Sequence, residues 1–265
     1  MTMHHTSIFG IVAMLVITPP LSLAAQDPEI LAQEAASGAD AANPTAAVNY
    51  HDLRYRYFDL SRGDKHSFET QGAHMFTPRL KFTNELRYVS TDRTGKTEQD
   101  FEELKLKGIY LTDIKPFGIK AKLAVGGEWL KDLGDFEEGT GTGADSIAPL
   151  LGIGWIPDDL NFIVTLVQYF HSYDTDSARQ DDVRVTGPRL IWIRKLPTIG
   201  GWFKADLKMS IDHEDDDDFT QTLEIQLGKM ISPSLGFYAD LFLGDDVLDT
   251  KAYDVGAGVG VRFMY

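Results

Sequence analysis

Residues 253–265 read YDVGAGVGVRFMY, and the fold class is predicted from the period of this segment. Apolar side chains occupy every second position of it, and the positions between them hold mostly glycine and charged residues. A period of two is that of a β-strand, because successive side chains of a strand point to opposite faces. The segment is about twice as long as a typical strand of a soluble protein, which predicts a strand that crosses a lipid bilayer.

The same alternation recurs upstream. In residues 79–88 (RLKFTNELRY), Leu80, Phe82, Leu86 and Tyr88 alternate with charged and polar side chains. Spans of about 10 to 13 residues have the length that a tilted strand needs to cross a bilayer. We predict strands at 48–59, 66–76, 79–89, 100–111, 117–129, 146–156, 160–170, 182–195, 201–211, 219–229, 235–243 and 252–265.

The connections between these strands alternate in length. Short ones at 112–116, 157–159, 197–200 and 231–234 alternate with long ones at 130–146, 171–182, 212–218 and 244–252. Short turns at one rim and long loops at the other are typical of an outer-membrane barrel. With both ends of the barrel at the short-turn rim, the strand count must be even. The sequence therefore predicts an all-β fold, an antiparallel up-and-down transmembrane β-barrel of twelve strands at residues 48–265, with ten as the alternative if 66–76 is only a loop.

The N-terminal region predicts the compartment. Residues 8–17 (IFGIVAMLVI) are all apolar or glycine, which is too short a run for a transmembrane helix, and small residues follow up to Ala25. This pattern is typical of a cleavable export signal. We predict a signal peptide at 1–25, cut after Ala24 or Ala25, and a location in the outer membrane of a Gram-negative bacterium. Residues 26–47 are rich in alanine and predict a flexible N-terminal extension with a short helix around 30–36.

Aromatic residues fall near the ends of the predicted strands, where they typically form a girdle at the membrane interface. They are Tyr88, Tyr110, Phe117, Trp129, Trp155, Tyr169, Trp202, Phe237 and Phe242. The chain also ends on an aromatic residue, Tyr265, and this ending resembles the C-terminal signature that the barrel-assembly machinery recognises. We expect that machinery, together with outer-membrane lipid and lipopolysaccharide, as partners.

The charge is strongly acidic and unevenly distributed. The chain has 25 Lys and Arg against 40 Asp and Glu, a formal charge of −15, which argues against nucleic acid as a partner. The absence of cysteine excludes disulfides and thiolate metal sites. The four long loops at 130–146, 171–182, 212–218 and 244–252 carry −4, −3, −6 and −2, the charge of the whole chain. The rest of the protein is therefore balanced.

Basic residues on the face opposite to the apolar one predict a basic lumen, which would favour anionic solutes. They are Arg54, Arg56, Arg79, Lys81, Arg87, Lys105, Lys107, Lys120, Lys122, Lys204, Lys208 and Arg262. Pairing across strands, with no role beyond filling the interior, is the alternative for these charges. In the loop at 212–218, Asp215, Asp216, Asp217 and Asp218 form a candidate site for a divalent cation, with solvated surface as the alternative. No other cofactor is expected.

The sequence gives no sign of a catalytic site. Barrel lipases resemble one another in a His and a Ser two positions apart on one strand, so that both side chains share the lipid-facing surface. Here His66 and Ser67 are adjacent, as are His171 and Ser172, which puts the two members of each pair on opposite faces. We therefore do not predict an enzyme.

Three stretches, Asp145–Gly152 (DSIAPLLG), Gly228–Pro233 (GKMISP) and Tyr253–Phe263, resemble transporter-like outer-membrane barrels related to the MetA family of phenol-degradation pathways. That resemblance implies a small-solute channel. Two shorter stretches, 54–57 (RYRY) and 85–88 (ELRY), resemble the twelve-stranded acidic-oligosaccharide porins.

The predicted function is a porin-like channel for passive uptake of small polar or anionic solutes through a narrow basic lumen. Wall glycines favour an open path: Gly118, Gly126, Gly152, Gly154, Gly256, Gly258 and Gly260. The alternative is a non-conducting structural or adhesion barrel, whose acidic loops bridge lipopolysaccharide through divalent cations.

Overall fold

The structure is a computed structural model that describes residues 28–176, 182–214, 218–244 and 253–265. The predicted signal peptide at 1–25 lies outside these ranges. Among the described residues one α-helix, α1 (Pro28–Ala42), precedes the strands β1 (Tyr50–Asp59), β2 (Asp64–Met75), β3 (Leu80–Thr91), β4 (Glu98–Ile114), β5 (Lys120–Asp132), β6 (Ala144–Ile156), β7 (Asn161–Thr175), β8 (Arg184–Leu196), β9 (Gly201–Asp212), β10 (Asp218–Ser232), β11 (Leu235–Leu243) and β12 (Val255–Met264). No helix in the described ranges is long and apolar enough to span a membrane.

Each strand pairs antiparallel with its neighbours in sequence, and β12 pairs with β1 to close the barrel. At this seam Tyr50 lies opposite Met264 and Asp59 opposite Val255. The predicted barrel of twelve strands is confirmed, and the ten-strand alternative is wrong because residues 64–75 form β2. The apolar pattern of β2 is weak because the positions that alternate with its lumen residues hold His66, Thr70, Gly72 and His74, so that Phe68 is the one large apolar side chain on that face.

The connections alternate in length only in part: 133–143, 176–183 and 244–254 are long as predicted, whereas 60–63 between β1 and β2 and 213–217 between β9 and β10 are as short as turns of the opposite rim. Short turns join β2 to β3, β4 to β5, β6 to β7, β8 to β9 and β10 to β11, and they define the short-turn rim. In the turn between β6 and β7, the Asp158 carboxylate accepts hydrogen bonds from the Asn161 side chain at 2.9 Å and from the Leu160 amide at 2.8 Å. These bonds, the Asn161 side chain first, lower the pKa of Asp158 and hold the turn closed. The other connections define the long-loop rim.

The outer surface of the barrel is apolar. Large hydrophobic side chains point outward from the middle of the strands, including Leu53, Phe68, Val125, Leu151, Leu190, Leu227 and Leu241. A continuous apolar band of this size is costly in water and suits the hydrocarbon region of a bilayer.

Helix α1 lies inside the barrel at the short-turn rim, packed against β8, β9 and β10. Residues 28–47 (the N-terminal segment below) therefore do not form the free, flexible extension that the sequence predicts, and the helix is longer than 30–36. The reason is the size of the side chains. Ala35 and Ala39 are fully buried, and a Cβ atom at Gly38 would lie 2.1 Å from the Trp202 ring. Only a helix of very small residues fits this close to the wall.

The lower half of the lumen, nearest the short-turn rim, is a hydrophobic core rather than a polar channel. Its fully or nearly fully buried side chains, packed against α1, are Phe162, Val164, Ile191, Ile193, Trp202, Met230 and Tyr238. Trp202 thus faces inward, and Phe242 is buried against Phe58, so the prediction of an interfacial position is wrong for these two residues. Both lie on lumen-facing positions of their strands, where α1 or neighbouring rings cover them.

The wall glycines do not leave an open path. A Cβ atom at Gly260 would meet the Tyr238 ring at 2.2 Å, and one at Gly154 would meet Thr45 Oγ1 at 2.1 Å. A Cβ atom at Gly256 would meet the Phe58 ring at 2.6 Å. At these three positions the absent side chain is replaced by a neighbouring side chain or by the N-terminal segment, whereas Gly126 packs against the backbone of Gly108 and, of the predicted wall glycines, only Gly118, in the turn before β5, has open space beside it.

The apolar lower lumen yields a prediction about stability. Replacing the fully buried Ile193 by alanine leaves a cavity between β8 and α1, so the free energy of unfolding in lipid vesicles should fall by about 2–5 kcal/mol. Leu190→Ala on the outer face of the same strand is the control. Lipid closes around that site, so only the transfer cost applies and the loss should be smaller. Equal losses, measured by denaturant titration, would contradict a packed interior.

Candidate functional site

A cavity of about 360 Å³ lies in the lumen between the N-terminal segment and the long-loop rim. Its floor is formed by Ala41, Ala42, Pro44 and Thr45. Ten cationic side chains line it: Arg54, Arg56, Lys81, Arg87, Lys105, Lys107, Arg189, Lys204, Lys208 and Arg262. The lining carboxylates are Glu85, Glu128 and Glu224. The lining is therefore predominantly cationic.

Most of the predicted basic residues meet in this cavity, but three lie elsewhere. Arg79 is exposed at the short-turn rim, where its guanidinium contacts the Tyr110 hydroxyl at 3.3 Å. Lys120 is exposed at the same rim, and Lys122 lies 3.9 Å from the exposed Asp113. The alternation places all three on the lumen side, but they come too close to the strand ends to reach the cavity.

Arg189 is a cavity residue that the sequence analysis missed. It lies on β8, where Ile191 and Ile193 point inward while Leu190 and Trp192 point outward. Both faces of this strand are apolar near the short-turn rim, so the strand lacks the alternation that identifies a lumen face. The Arg189 guanidinium donates two hydrogen bonds to Asp206, one of them at 2.6 Å.

The lumen cations are paired with carboxylates of neighbouring strands. Arg87 contacts Glu69, Glu85, Glu102 and Glu103 at 2.7–3.5 Å. Lys105 bonds to Glu103 and Lys107 to Glu128, each at 2.5 Å. On the opposite wall, Glu224 accepts from Lys204 at 2.6 Å and from Lys208 at 2.9 Å. Such a network is stable in a confined lumen because each of these charges has a partner of opposite sign. The buried Lys81 instead donates to backbone carbonyls.

Within these pairs the cation and the carboxylate differ in exposure. The Glu69 and Asp206 side chains are fully buried, and that of Glu224 is 3% exposed. By contrast, the Lys208 side chain is 40% exposed and that of Arg87 is 19% exposed. In these pairs the cation is thus more exposed than its carboxylate, and the cavity is lined by ten cationic side chains and by the three carboxylates of Glu85, Glu128 and Glu224.

Asp52 and Arg262 form the most deeply buried ion pair. The Arg262 guanidinium donates to both carboxylate oxygens of Asp52, at 2.9 and 2.7 Å, and to the Gly38 carbonyl at 3.2 Å. It is also stacked among the rings of Tyr50, Trp202 and Tyr238, with centroids 5.1–5.2 Å away. This one side chain links β12 to β1 across the barrel seam and to helix α1.

The candidate metal residues remain untested. Asp215, Asp216 and Asp217 lie outside the described residues, and Asp218 is the exposed first residue of β10. Within the described ranges no group of three or more His, Asp or Glu side chains is placed to hold a metal ion. The loops are nevertheless electrostatically crowded. Repulsion by Glu98, followed by a smaller effect of burial and then by repulsion from Asp135 and Asp100, raises the pKa of Glu138.

The histidine and serine pairs do not meet as in a lipase strand. Ser67 is buried on the lumen side, whereas His66 lies on the other face, with Nδ1 2.7 Å from the Tyr55 hydroxyl. Ser172 is likewise buried and the adjacent His171 exposed. The alternation of the strands separates each pair as the sequence predicts.

No family model and no curated protein matches the chain. Solved structures do. The NanC porin has a TM-score of 0.64 at 10% identity, over 81% of this chain and 100% of that chain. The KdgM porin has a TM-score of 0.55 at 9% identity, over 82% and 99%. The outer membrane phospholipase dimer of Salmonella typhi with bound calcium has a TM-score of 0.50 at 13% identity, over 88% and 96%.

These likenesses show the fold. The chain is a closed twelve-stranded antiparallel β-barrel with porin-like structural neighbours. Identities of 9–13% carry no residue correspondence, and the resemblance to the MetA-related barrels stays a prediction.

The Asp52–Arg262 pair yields a second prediction. Asp52→Ala leaves a buried guanidinium without its carboxylate, so the free energy of unfolding should fall by about 3–5 kcal/mol. Asp113→Ala removes an exposed carboxylate with a single partner at 3.9 Å and should change it by less than about 0.5 kcal/mol. Denaturant titration of both variants in the same vesicles checks the pair; a loss below about 1 kcal/mol for Asp52→Ala would contradict the linking role.

Proposed function

We propose that this protein is an outer-membrane porin-like channel that admits small anionic or polar solutes. The observation that carries the proposal is the predominantly cationic lining of the lumen cavity, in which the cations are more exposed than the carboxylates that pair with them. A narrow compartment lined by one sign of charge concentrates ions of the opposite sign. Arg87, Lys105 and Lys107 on one wall and Arg189, Lys204 and Lys208 on the other would contact a solute between them.

Three further observations support this proposal. The apolar outer band and the closed barrel suit an outer membrane, where lipid and lipopolysaccharide would be the partners. One of the solved KdgM porin structures is a complex with disordered oligogalacturonate, so a barrel of similar fold binds a chain of carboxylates. Tyr265 is exposed at the C-terminus, which leaves it accessible to assembly machinery.

A second candidate function is a non-conducting barrel with a structural or adhesive role. It is favoured by α1, which lies across the lower lumen, and by the pairing of the lumen cations. In this candidate the acidic loops would bridge lipopolysaccharide through divalent cations. An enzymatic role is not proposed: the phospholipase of similar fold shares only the barrel, and the histidines here lie on the face opposite to the adjacent serines.

Ion selectivity in planar bilayers tests the channel. We expect anion selectivity, and we expect Lys107→Gln combined with Lys208→Gln to lower the anion-to-cation permeability ratio at least about twofold, because both ends face the cavity. Glu224 keeps Lys204 as a partner in this variant. The control combines Arg79→Gln with Lys120→Gln, the same charge change outside the cavity. Cation selectivity, or equal effects of the two variants, would overturn the anionic channel.

A further inference from the structure

We propose that the N-terminal segment (residues 28–47) is a displaceable plug: it closes the short-turn mouth of the barrel, and solute passes only when it leaves. This inference rests on the channel function proposed above. The segment forms the floor of the cavity through Ala41, Ala42, Pro44 and Thr45, and α1 fills the space between β8, β9 and β10. A solute in the cavity thus meets cationic walls at its sides and the N-terminal segment below.

Two wall cations hold the segment by its backbone. Arg262 donates to the Gly38 carbonyl at 3.2 Å, and Lys81 Nζ donates to the carbonyls of Pro44 and Ala46 at 3.3 and 3.0 Å. The last two carbonyls lie just beyond the C-terminal end of α1, where the helix dipole places partial negative charge. The contacts are hydrogen bonds to carbonyl oxygens, which water can replace when the segment moves out.

The segment's own side chains contribute little apolar area to its attachment, so most of the apolar area that its departure would expose belongs to wall residues such as Ile193 and Trp202. The segment's buried side chains Ala35, Ala39 and Ala41 are small, and an alanine buries far less apolar area than a leucine or phenylalanine. No side chain fits at position 38 against the Trp202 ring, and the glycine that stands there disfavours the helix relative to alanine. Glu34 is buried with its Oε2 atom lacking any hydrogen-bond partner among the described residues, which also opposes docking.

The barrel does not depend on the segment for its own closure. Each strand is held to both neighbours along its length, and the β1–β12 seam is a continuous ladder from residue 50 to residue 59. The segment joins β1 through residues 48 and 49, after a turn in which the Asn43 side chain accepts from the Thr45 amide at 2.9 Å. It can therefore move as a unit about this connection while the wall stays paired.

A reversible cross-link tests the plug directly. The chain has no cysteine, so Glu34→Cys with Gly200→Cys gives a single thiol pair. A Cβ atom built at Gly200 lies 3.4 Å from Glu34 Cβ, close to the separation in a disulfide. We expect the oxidised protein to lose at least nine-tenths of its conductance and reduction to restore it. Reductant applied to the unsubstituted chain controls for unspecific effects.

A second pair of variants displaces the segment instead of fixing it. Gly38→Leu cannot fit beneath Trp202, whereas Ala32→Leu places the same side chain on the exposed face of α1. In an Ala39→Cys background, a water-soluble maleimide should label the buried position 39 at least tenfold faster with Gly38→Leu than with Ala32→Leu. Conductance should rise in the same variant. Faster migration of the unheated protein in a gel, lost on boiling, shows that each barrel has folded.

The outcomes separate the two proposals. Conductance that neither the cross-link nor Gly38→Leu changes overturns the plug and leaves the channel standing. Protection of position 39 in the folded Gly38→Leu variant also overturns the plug. Rapid labelling of position 39 without any conductance overturns the channel, and the gating role of the segment with it.

Discussion

Every backbone amide and carbonyl of a strand in lipid needs a hydrogen-bond partner, and the ladder between β1 and β12 satisfies this requirement for the last open edges. The other features follow from this closure. It brings the first and last strands together and fixes the even number of strands. On its lumen side it places Asp52 directly opposite Arg262 in register. A slip of one residue would turn Arg262 toward lipid, so the buried ion pair and the ladder specify the same register.

The lumen divides into two regions of different chemistry. Toward the short-turn rim it is packed like a protein core, with α1 supplying the missing layer against Ile193 and Trp202. Toward the long-loop rim the charged residues form a network in which the cations are more exposed than the carboxylates that pair with them, and in which cations outnumber carboxylates in the cavity lining. This difference matters more for solutes than the net charge does. A balanced set of charges still presents a cationic surface when its acids are less exposed than its cations.

Much of the fold could be predicted from the sequence because a barrel strand carries its own signal. The period of two and the alternating connection lengths give twelve strands whose ends agree with the structure to within a few residues, even for the weakly patterned β2. The acidic charge of the loops follows from where the strands end. Most of the cavity cations follow from the alternation of side chains along each strand. These properties depend on neighbours in the sequence or on the neighbouring strand.

The rest depends on contacts that no local pattern carries. The position of α1 could not be predicted because an alanine-rich stretch is equally consistent with a free extension. The sequence places Trp202 near a strand end, as for an interfacial residue. Only the close contact between Gly38 and its ring shows that it faces the lumen. Arg189 stands on a strand that is apolar on both faces. The alternation also does not distinguish Lys107 from Lys120. It reports which face of the strand a residue is on, whereas these two residues differ in their position along the barrel axis, Lys107 at mid-strand and Lys120 at the rim.

The position of Arg262 also has a consequence for the order of assembly. This residue is the fourth from the C-terminus, and its partners Asp52 and Gly38 lie 210 and 224 positions earlier in the chain. A barrel that has not yet incorporated β12 lacks the guanidinium that binds both Asp52 and the Gly38 carbonyl, although α1 can already pack against β8, β9 and β10. The contact between Arg262 and the helix therefore forms only when the last strand is in register.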